Sequence, residues 1–241
     1  MRRWWSTLFP LSKPCWFCST PIRSLPFACI WKQICFTCQE HFMRINGSVC
    51  QKCGRPMVEE ENPACLDCSQ IDSSTFTPNR SVVLYQGQAK KIIQIFKYRG
   101  QERLAVPLGR WMAEVCFQYY RSVPFSLITY VPLHENRLKQ RGFNQAELLA
   151  QVMGRQLRLP VQKLLIRRRE TSSQSQRSRK ERLQALQHAF ILNEEFDSTW
   201  LSRQCVLLVD DVYTTGSTLR ECVKPLSEIG VKQVYTITFA R

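Results

Sequence analysis

The sequence predicts an α/β domain with a parallel sheet, preceded by a small cysteine-rich module that binds metal. Strand-like and helix-like apolar patterns alternate after residue 80, as in a parallel sheet with helical crossovers. Nine of the twelve cysteines lie before residue 70, and eight of these form four C-x-x-C pairs. At 241 residues the chain is long enough for both parts, so we predict two domains, residues 1–75 and residues 80–241.

The cysteine pairs favour two structural Zn²⁺ sites. Each C-x-x-C pair can turn two thiolates toward one metal, and two such pairs supply the four sulfur ligands of a structural zinc site. We expect the first and second pairs to share one ion and the third and fourth to share the other. An interleaved arrangement or a disulfide framework also fits the spacing. The pairs are Cys15 and Cys18, Cys35 and Cys38, Cys50 and Cys53, and Cys65 and Cys68.

The segments around this module carry few signals of their own. The N-terminal residues 1–11 are too short an apolar run for a signal peptide and are broken by Pro10. No stretch approaches the roughly 18 consecutive apolar residues of a membrane span. We therefore expect a cytoplasmic protein without membrane insertion. Residues 69–80 are polar and lack helical periodicity, which places the linker between the two domains there.

The formal net charge is +15, which is large for a chain of this length. Such an excess of lysine and arginine favours a polyanionic partner. Single-stranded DNA, a diphosphate substrate and an anionic surface all satisfy this condition, and solubility is the alternative explanation. Charge alone does not distinguish them.

The second domain opens with a predicted strand over residues 81–85 and helices over residues 88–98 and 103–120. A second strand follows at residues 126–131. The next helix begins after residue 145 and has its apolar residues at helical spacing. A last strand, Val206–Val209, is apolar throughout, as expected for a strand buried on both faces of a parallel sheet.

Basic and polar residues directly follow the strand at residues 126–131. Arginine side chains can bind the oxygens of a diphosphate in pairs, so this loop is a candidate anion site. His134 is the candidate for proton transfer by its position. A solvated helix start is the alternative interpretation. The candidate residues are Pro132, Leu133, His134, Arg137 and Arg141.

The richest stretch follows Val209. Two acids, Asp210 and Asp211, precede a turn of small residues that leads into a helix. The N–H groups and dipole of a helix N-terminus favour a phosphate, whereas adjacent carboxylates suit the vicinal hydroxyls of a sugar. The order therefore predicts a ribose 5-phosphate site, although acids that merely cap a helix are an alternative. The residues of the predicted cradle are Val212, Tyr213, Thr214, Thr215, Gly216, Ser217 and Thr218.

The stretch V-D-D-V-Y-T-T-G-S-T resembles the 5-phosphoribosyl 1-diphosphate (PRPP) motif of type I phosphoribosyltransferases. Together with the four C-x-x-C pairs and V-P-L-H-x-x-R-x-x-x-R-G-F-N-Q, it resembles the ComF family over nearly the whole chain. The resemblance implies a type I phosphoribosyltransferase-like parallel sheet with helices on both faces and an N-terminal double zinc ribbon. It also implies PRPP binding with Mg²⁺, with Asp210 and Asp211 on the ribose and the basic loop at residues 132–141 on the diphosphate.

Between the two motifs, residues 167–182 are rich in arginine and serine and have no apolar face. We expect a mobile loop, of the kind that phosphoribosyltransferases close over the diphosphate to exclude water. Thr171, Gln174 and Arg182 resemble the pattern of the family in this loop, but Leu183-Gln184-Ala185 replaces an asparagine that is frequent there. A nucleic-acid-binding segment is the competing interpretation, because six arginines would neutralise several phosphates.

Three hypotheses follow. ComF proteins are associated with natural competence, so the first is a PRPP-binding protein that handles single-stranded DNA together with proteins of the competence machinery. The second is an active phosphoribosyltransferase that transfers the ribosyl 5-phosphate of PRPP to a nitrogen acceptor, with Asp210, Asp211 and His134 as catalytic residues. The third is a scaffold with a vestigial pocket, which the intact acids and T-T-G turn disfavour. The resemblance names no acceptor and leaves open whether turnover occurs.

Overall fold

The computed structural model describes residues 12–24, 28–58, 63–70, 77–169 and 187–241. The strands are β1 (Ser12–Pro14), β2 (Pro21–Arg23), β3 (Asn79–Val83), β4 (Leu127–Tyr130), β5 (Leu165–Arg167), β6 (Phe190–Leu192), β7 (Cys205–Val212) and β8 (Gln233–Ala240). The helices are α1 (Phe36–Glu40), α2 (Leu66–Ser69), α3 (Gly87–Tyr98), α4 (Ala105–Tyr120), α5 (Glu135–Arg141), α6 (Gln145–Leu157), α7 (Ser198–Leu201) and α8 (Ser217–Glu228).

The central sheet has four strands in the order β3-β8-β7-β4, and all three pairings are parallel. This confirms the predicted parallel sheet. The apolar run that begins at Cys205 is buried up to Val209, as a strand with neighbours on both sides and helices on both faces requires. The strand is longer than predicted, because Asp210 pairs with Thr238 and Val212 with Ala240. The two acids therefore lie inside β7 and not in the following turn.

Helices cover both faces of the sheet. On one face, α4 packs against α6, and together they contact all four strands. The chain that leaves β4 through α6 moves away from β7, since Val161 then forms a parallel bridge with Ile128 on the outer side of β4. The chain that leaves β7 through α8 moves in the opposite direction and enters β8. Right-handed crossovers in opposite directions place their helices on opposite faces, so α8 covers the other side. The predicted doubly covered sheet is confirmed.

The cysteine-rich part packs directly on the α/β domain. Trp111 of α4 lies at the centre of the contact, with ring centroids 5.4 Å from both Trp31 and Phe42 and 5.9 Å from Phe239 of β8. The chain around Arg44 also runs antiparallel to β3, where Ile45 N–H donates to the Val82 carbonyl at 3.0 Å. The two parts thus share one apolar core. The predicted boundary at residues 75–80 stays a prediction, and most of the predicted linker lies outside the described residues.

Two local predictions need adjustment. The basic segment after β4 is not a loop throughout, because residues Glu135–Arg141 form the short helix α5 before α6 begins at Gln145. The predicted helix from residue 103 starts as a 3-10 turn, Glu102–Leu104, and becomes α-helical at Ala105. Among the described residues, we find no helix with the length and apolar composition that crossing a bilayer requires.

Trp111→Ala tests the shared core. Trp111 is 1% exposed and touches both parts of the chain, so we expect the substitution to lower the free energy of unfolding by about 3–5 kcal/mol. Trp200→Ala is the matched control, because Trp200 is 47% exposed and its loss should cost about 0.5 kcal/mol or less. Chemical denaturation of the zinc-loaded protein measures both values. Equal losses for the two variants would contradict the central role of Trp111.

Candidate functional site

Two of the predicted segments meet at one edge of the sheet. Strands β4 and β7 are parallel neighbours, and Tyr130 pairs with Val209. Val131 N–H, just past β4, donates to the Val209 carbonyl at 3.0 Å. The start of α6 is held at the same place, because Asn144 Nδ2 donates to the Val131 carbonyl at 3.0 Å. The segment after β4 and the acids of β7 therefore emerge side by side, as the carboxyl ends of parallel strands do in α/β ligand sites.

The two acids are held by different contacts. The Asp211 side chain is buried and forms an ion pair with Lys97 of α3, with Nζ 2.6 Å from Oδ2. Asp211 N–H in turn donates to Asp210 Oδ1 at 2.8 Å. Lys97 is not recognisable from the sequence, because nothing near it in the chain links it to an acid more than a hundred residues away. Its place at the carboxyl end of α3 puts it next to β7 only in the folded chain.

Burial and the neighbouring Asp211 raise the pKa of Asp210 from 3.8 to about 7, against the attraction of Lys97 and Arg167. Burial of Lys97 acts to lower the pKa of its ammonium, but the attraction of Asp211 and Asp210 outweighs it, and the pKa is raised. Lys97 is therefore charged at neutral pH, and Asp210 exchanges its proton near neutrality. The edge of the sheet can accept hydrogen bonds from hydroxyl groups and can also hold a proton.

After Asp211, the 213–218 loop turns sharply into α8. Gly216 has a φ of 71°, a left-handed conformation that glycine adopts without strain, and it caps α8. Thr215 Oγ1 and Ser217 Oγ lie 2.9 Å apart, and Arg220 Nη1 donates to the Thr215 carbonyl at 3.0 Å. The backbone N–H groups of Thr214, Thr215 and Gly216 have no acceptor among the residues that the structure describes. Such a turn at a helix N-terminus suits an anion.

The segment after β4 is more ordered than predicted. His134 caps the N-terminus of α5, where its Nδ1 accepts from Asn136 N–H at 3.3 Å. Arg141 donates from Nη1 to Gln145 Oε1 at 2.6 Å, and its Cζ lies 5.2 Å from the ring centroid of Tyr98. Arg137 and Leu133 are half-buried, and Pro132 is buried. The local role of His134 is structural here, and its role in proton transfer stays a prediction.

The eight paired cysteines form two clusters with the predicted sequential pairing. Within each cluster all four sulfur atoms lie within 4.8 Å of one another. The Sγ atoms of Cys18 and Cys35 are 3.4 Å apart, and those of Cys53 and Cys65 are 3.7 Å apart. Four thiolates at about 2.3 Å from one tetrahedral Zn²⁺ lie about 3.8 Å from each other, so both clusters fit the ion. The first cluster is Cys15, Cys18, Cys35 and Cys38, and the second is Cys50, Cys53, Cys65 and Cys68.

The predicted mobile loop at residues 167–182 lies mostly outside the described residues, which resume at residue 187. The antiparallel pair β5 and β6 flanks it. Arg167, at the end of β5, has its Cζ 5.4 Å from the ring centroid of Phe190 and contributes to the positive potential at Asp210. The base of the loop therefore lies within electrostatic range of Asp210.

Asp210→Asn tests the raised pKa of Asp210. Between pH 3.8 and about 7, the folded chain holds a proton on Asp210 that the unfolded chain has released. The stabilising contribution of this proton to the free energy of unfolding is therefore fully present below this window and is lost as the pH rises through it. We expect the variant to be more stable than the native chain, with a gain in the free energy of unfolding that grows from about pH 4 to about pH 7 and is then constant, reaching about 1 kcal/mol or more. Calorimetry of the zinc-loaded protein measures this gain, and a gain independent of pH would contradict the assignment.

Comparison with known proteins agrees with this architecture. The family described as "Phosphoribosyl transferase domain" matches residues 141–241. Competence protein ComFC of Bacillus subtilis is 29% identical over 204 residues, which cover 83% of this chain and 80% of the relative. Competence protein F of Haemophilus influenzae is 36% identical over 62% of this chain and 66% of the relative. DNA utilization protein YhgH of Escherichia coli (strain K12) is 29% identical over 91% of this chain and 93% of the relative.

Among solved structures, the chain is similar to the glutamine PRPP amidotransferase of B. subtilis, with 18% identity over 60% of this chain and 30% of that one. The TM-score is 0.40. The matches to ComFC and YhgH cover 83% and 91% of the chain, so they reach well beyond the phosphoribosyl transferase domain at residues 141–241. With both clusters assembled in front of that domain, the chain is similar over most of its length to Competence protein ComFC and to DNA utilization protein YhgH.

Proposed function

We propose that this protein binds PRPP or a related ribose phosphate at the carboxyl edge of β4 and β7 and acts on single-stranded DNA in natural competence. The proposal of ribose-phosphate binding rests on the 213–218 loop, whose N–H groups at Thr214, Thr215 and Gly216 have no acceptor in the part of the chain that the structure describes. These groups follow directly on two carboxylates whose charge is partly compensated by Lys97. An anion site and a hydroxyl site are thereby adjacent. A ribose 5-phosphate has this combination of groups.

In this proposal the ribose hydroxyls donate to Asp210 and Asp211, while the 5-phosphate accepts from the N–H groups and hydroxyls of the 213–218 loop. Lys97 keeps the acid pair from carrying two uncompensated negative charges at a buried place. Such a pair can then stay ionised enough to accept hydrogen bonds. The Asp210 proton adds a donor near neutral pH.

The diphosphate of PRPP would lie toward the segment after β4. Arg137 and Arg141 are its proposed partners, together with the backbone around Pro132 and Leu133, and Mg²⁺ would neutralise part of its charge. Arg141 now binds Gln145 and lies on Tyr98, so it must exchange these contacts for the ligand. The buried Nε2 of Gln145 has no hydrogen-bond partner among the described residues, and it is a further donor at this position.

An active phosphoribosyltransferase is the alternative. The C1–O bond of PRPP to the diphosphate would break as a bond from C1 to an acceptor nitrogen forms, and the nitrogen would lose its proton. Asp210 and Asp211 are placed to stabilise the positive charge that develops on the ribose. His134 is the proposed proton acceptor, and it would have to leave its capping contact with Asn136. The near-neutral pKa of Asp210 makes its carboxylate a second candidate to accept that proton.

A separate surface supports contact with DNA. A cavity of about 690 Å³ lies between the first cysteine cluster and the helices α3 and α4. Its described lining contains no acidic residue. Basic groups beside aromatic rings are what single-stranded nucleic acid requires, because phosphates need cations and unstacked bases stack on rings. The charged and aromatic lining residues are Lys13, Trp16, Phe17, Arg99, Arg103 and Arg110.

The ribose-phosphate site is tested by calorimetric titration with Mg²⁺ and PRPP. We expect Asp210→Ala/Asp211→Ala to weaken binding by about a hundredfold, since two charged acceptors of the ribose hydroxyls are lost. Asp197→Ala is the control, because Asp197 is exposed and caps α7 before the opposite end of β7. It should bind within about twofold of the native chain. Native protein that gives no PRPP signal, or a double variant that binds like the native protein, would refute the site.

The DNA surface is tested with a fluorescent single-stranded oligonucleotide. Arg99→Glu/Arg103→Glu should weaken binding by about tenfold or more and flatten its dependence on salt, because two phosphate contacts become repulsive. Arg203→Glu/Lys232→Glu makes the same change of net charge at exposed positions outside the cavity lining and should have a smaller effect. PRPP binding should be the same in both variants. Equal losses of DNA affinity would show that net charge, and not this cavity, determines binding.

A further inference from the structure

The two cysteine clusters occupy different environments. The first belongs to the main core of the protein, next to Phe42 and Trp111. The second forms a separate small cluster, and the partly buried apolar residues packed against it are Met57, Ala64 and Tyr213. Tyr213 is the first residue of the 213–218 loop. The second metal site is therefore in contact with the candidate phosphate cradle through a residue that packs directly on its small cluster.

The C-x-x-C turn at Cys50 and Cys53 in the second cluster is fastened to strand β3. Asn79 N–H of β3 donates to the Lys52 carbonyl at 2.8 Å, and Arg80 Nη1 donates to the Gln51 carbonyl at 3.0 Å. Gly54 lies so close to β3 that an added Cβ would be 2.7 Å from the Asn79 carbonyl oxygen. These contacts leave the C-x-x-C turn little freedom to move relative to the sheet.

Arg241 connects the same turn to Tyr213. Its Nη1 donates to the Cys53 carbonyl, and its Cζ lies 5.1 Å from the ring centroid of Tyr213. Tyr213 N–H donates to the Ala240 carbonyl at 2.8 Å. The Tyr213 ring is thus bounded by the cysteine cluster and by the guanidinium of Arg241, and its backbone is tied to β8.

Tyr213 also presses on the turn of the loop. A Cβ added at Gly216 would lie 2.5 Å from Cζ of Tyr213, so the ring lies directly against the glycine. The space left between Cys68, Tyr213 and Gly216 is about 20 Å³, too small for a ligand. Any shift of the Tyr213 ring toward α8 would therefore displace Gly216, whose neighbours offer the N–H groups of the cradle.

Building on the proposed ribose-phosphate site, we infer that a metal ion in the second cysteine cluster positions the 213–218 loop through Tyr213. Loss of this ion frees the four cysteines from a common centre and releases the ring, and the loop then loses the conformation that binds phosphate. Loss of the ion from the first cluster leaves this contact in place. Tyr213 is a positioning residue in this scheme, and the second metal site belongs functionally to the ligand site.

The test compares Cys65→Ser/Cys68→Ser in the second cluster with the matched pair Cys35→Ser/Cys38→Ser in the first. Elemental analysis should find that each variant retains one of its two zinc ions. Without any ligand, we expect hydrogen exchange of the amides at residues 213–218 to accelerate by about tenfold or more in the second-cluster variant only. The affinity for Mg²⁺ and PRPP should fall in that variant by about tenfold or more and stay within about twofold in the other.

Tyr213→Ala removes the contact of the ring with the second cluster and with Gly216 but keeps all the cysteine ligands. Tyr213→Phe is its control. We expect Tyr213→Ala to keep both zinc ions and still to show fast exchange in the loop, whereas Tyr213→Phe keeps the ring and exchanges like the native chain. Native exchange rates in Tyr213→Ala, or equal effects of the two cluster variants, would overturn the inference. Absence of PRPP binding to the native chain would refute the proposed function instead, and the exchange rates without ligand would still decide the coupling.

Discussion

Strand β7 is hydrogen-bonded to β4 on one side and to β8 on the other, and the groups of the candidate site take their positions from this double pairing. Because both pairings are parallel, the segments that leave β4 and β7 emerge at one edge. The pairing with β8 extends to Val212, so the acids stand on a rigid strand rather than on a loop. Sites built on strands hold their side chains more accurately than sites built on loops.

Two adjacent carboxylates at the end of this strand repel each other and are partly removed from water, which is electrostatically unfavourable. Three features of the fold reduce this unfavourable energy. Lys97 pairs with Asp211, Asp210 has a pKa of about 7, and Arg167 approaches from the β5–β6 ribbon. Strained or costly charge arrangements of this kind are frequent at functional sites. A core strand without such a role would end in apolar residues. The arrangement therefore supports a site for a ligand more than a stabilising role for the acids.

Much of this architecture was predictable from the sequence. The C-x-x-C spacing gave the metal clusters because a local pattern defines the ligands, and the apolar run before Asp210 gave the central strand for the same reason. The missed features depend on contacts between distant segments. Lys97 meets Asp211, and Tyr213 meets the second cluster, only after the sheet has formed. The capping role of His134 was also hidden, since it depends on the unexpected helix α5.

The connectivity of β3 has a consequence for the order of folding. Each cysteine cluster closes within a short stretch of chain, so it can assemble early, whereas β3 has β8 as its partner in the sheet, and Asn79 and Thr236 are 157 residues apart. During synthesis β3 therefore emerges long before its neighbour. The antiparallel segment around Arg44 is already available by then and pairs with the Val83 end of β3. The cysteine-rich module thus covers one edge of β3 early, where the Val82 carbonyl accepts from Ile45, whereas the edge at which the Val83 carbonyl accepts from Arg241 stays open to other chains until the C-terminal strand arrives.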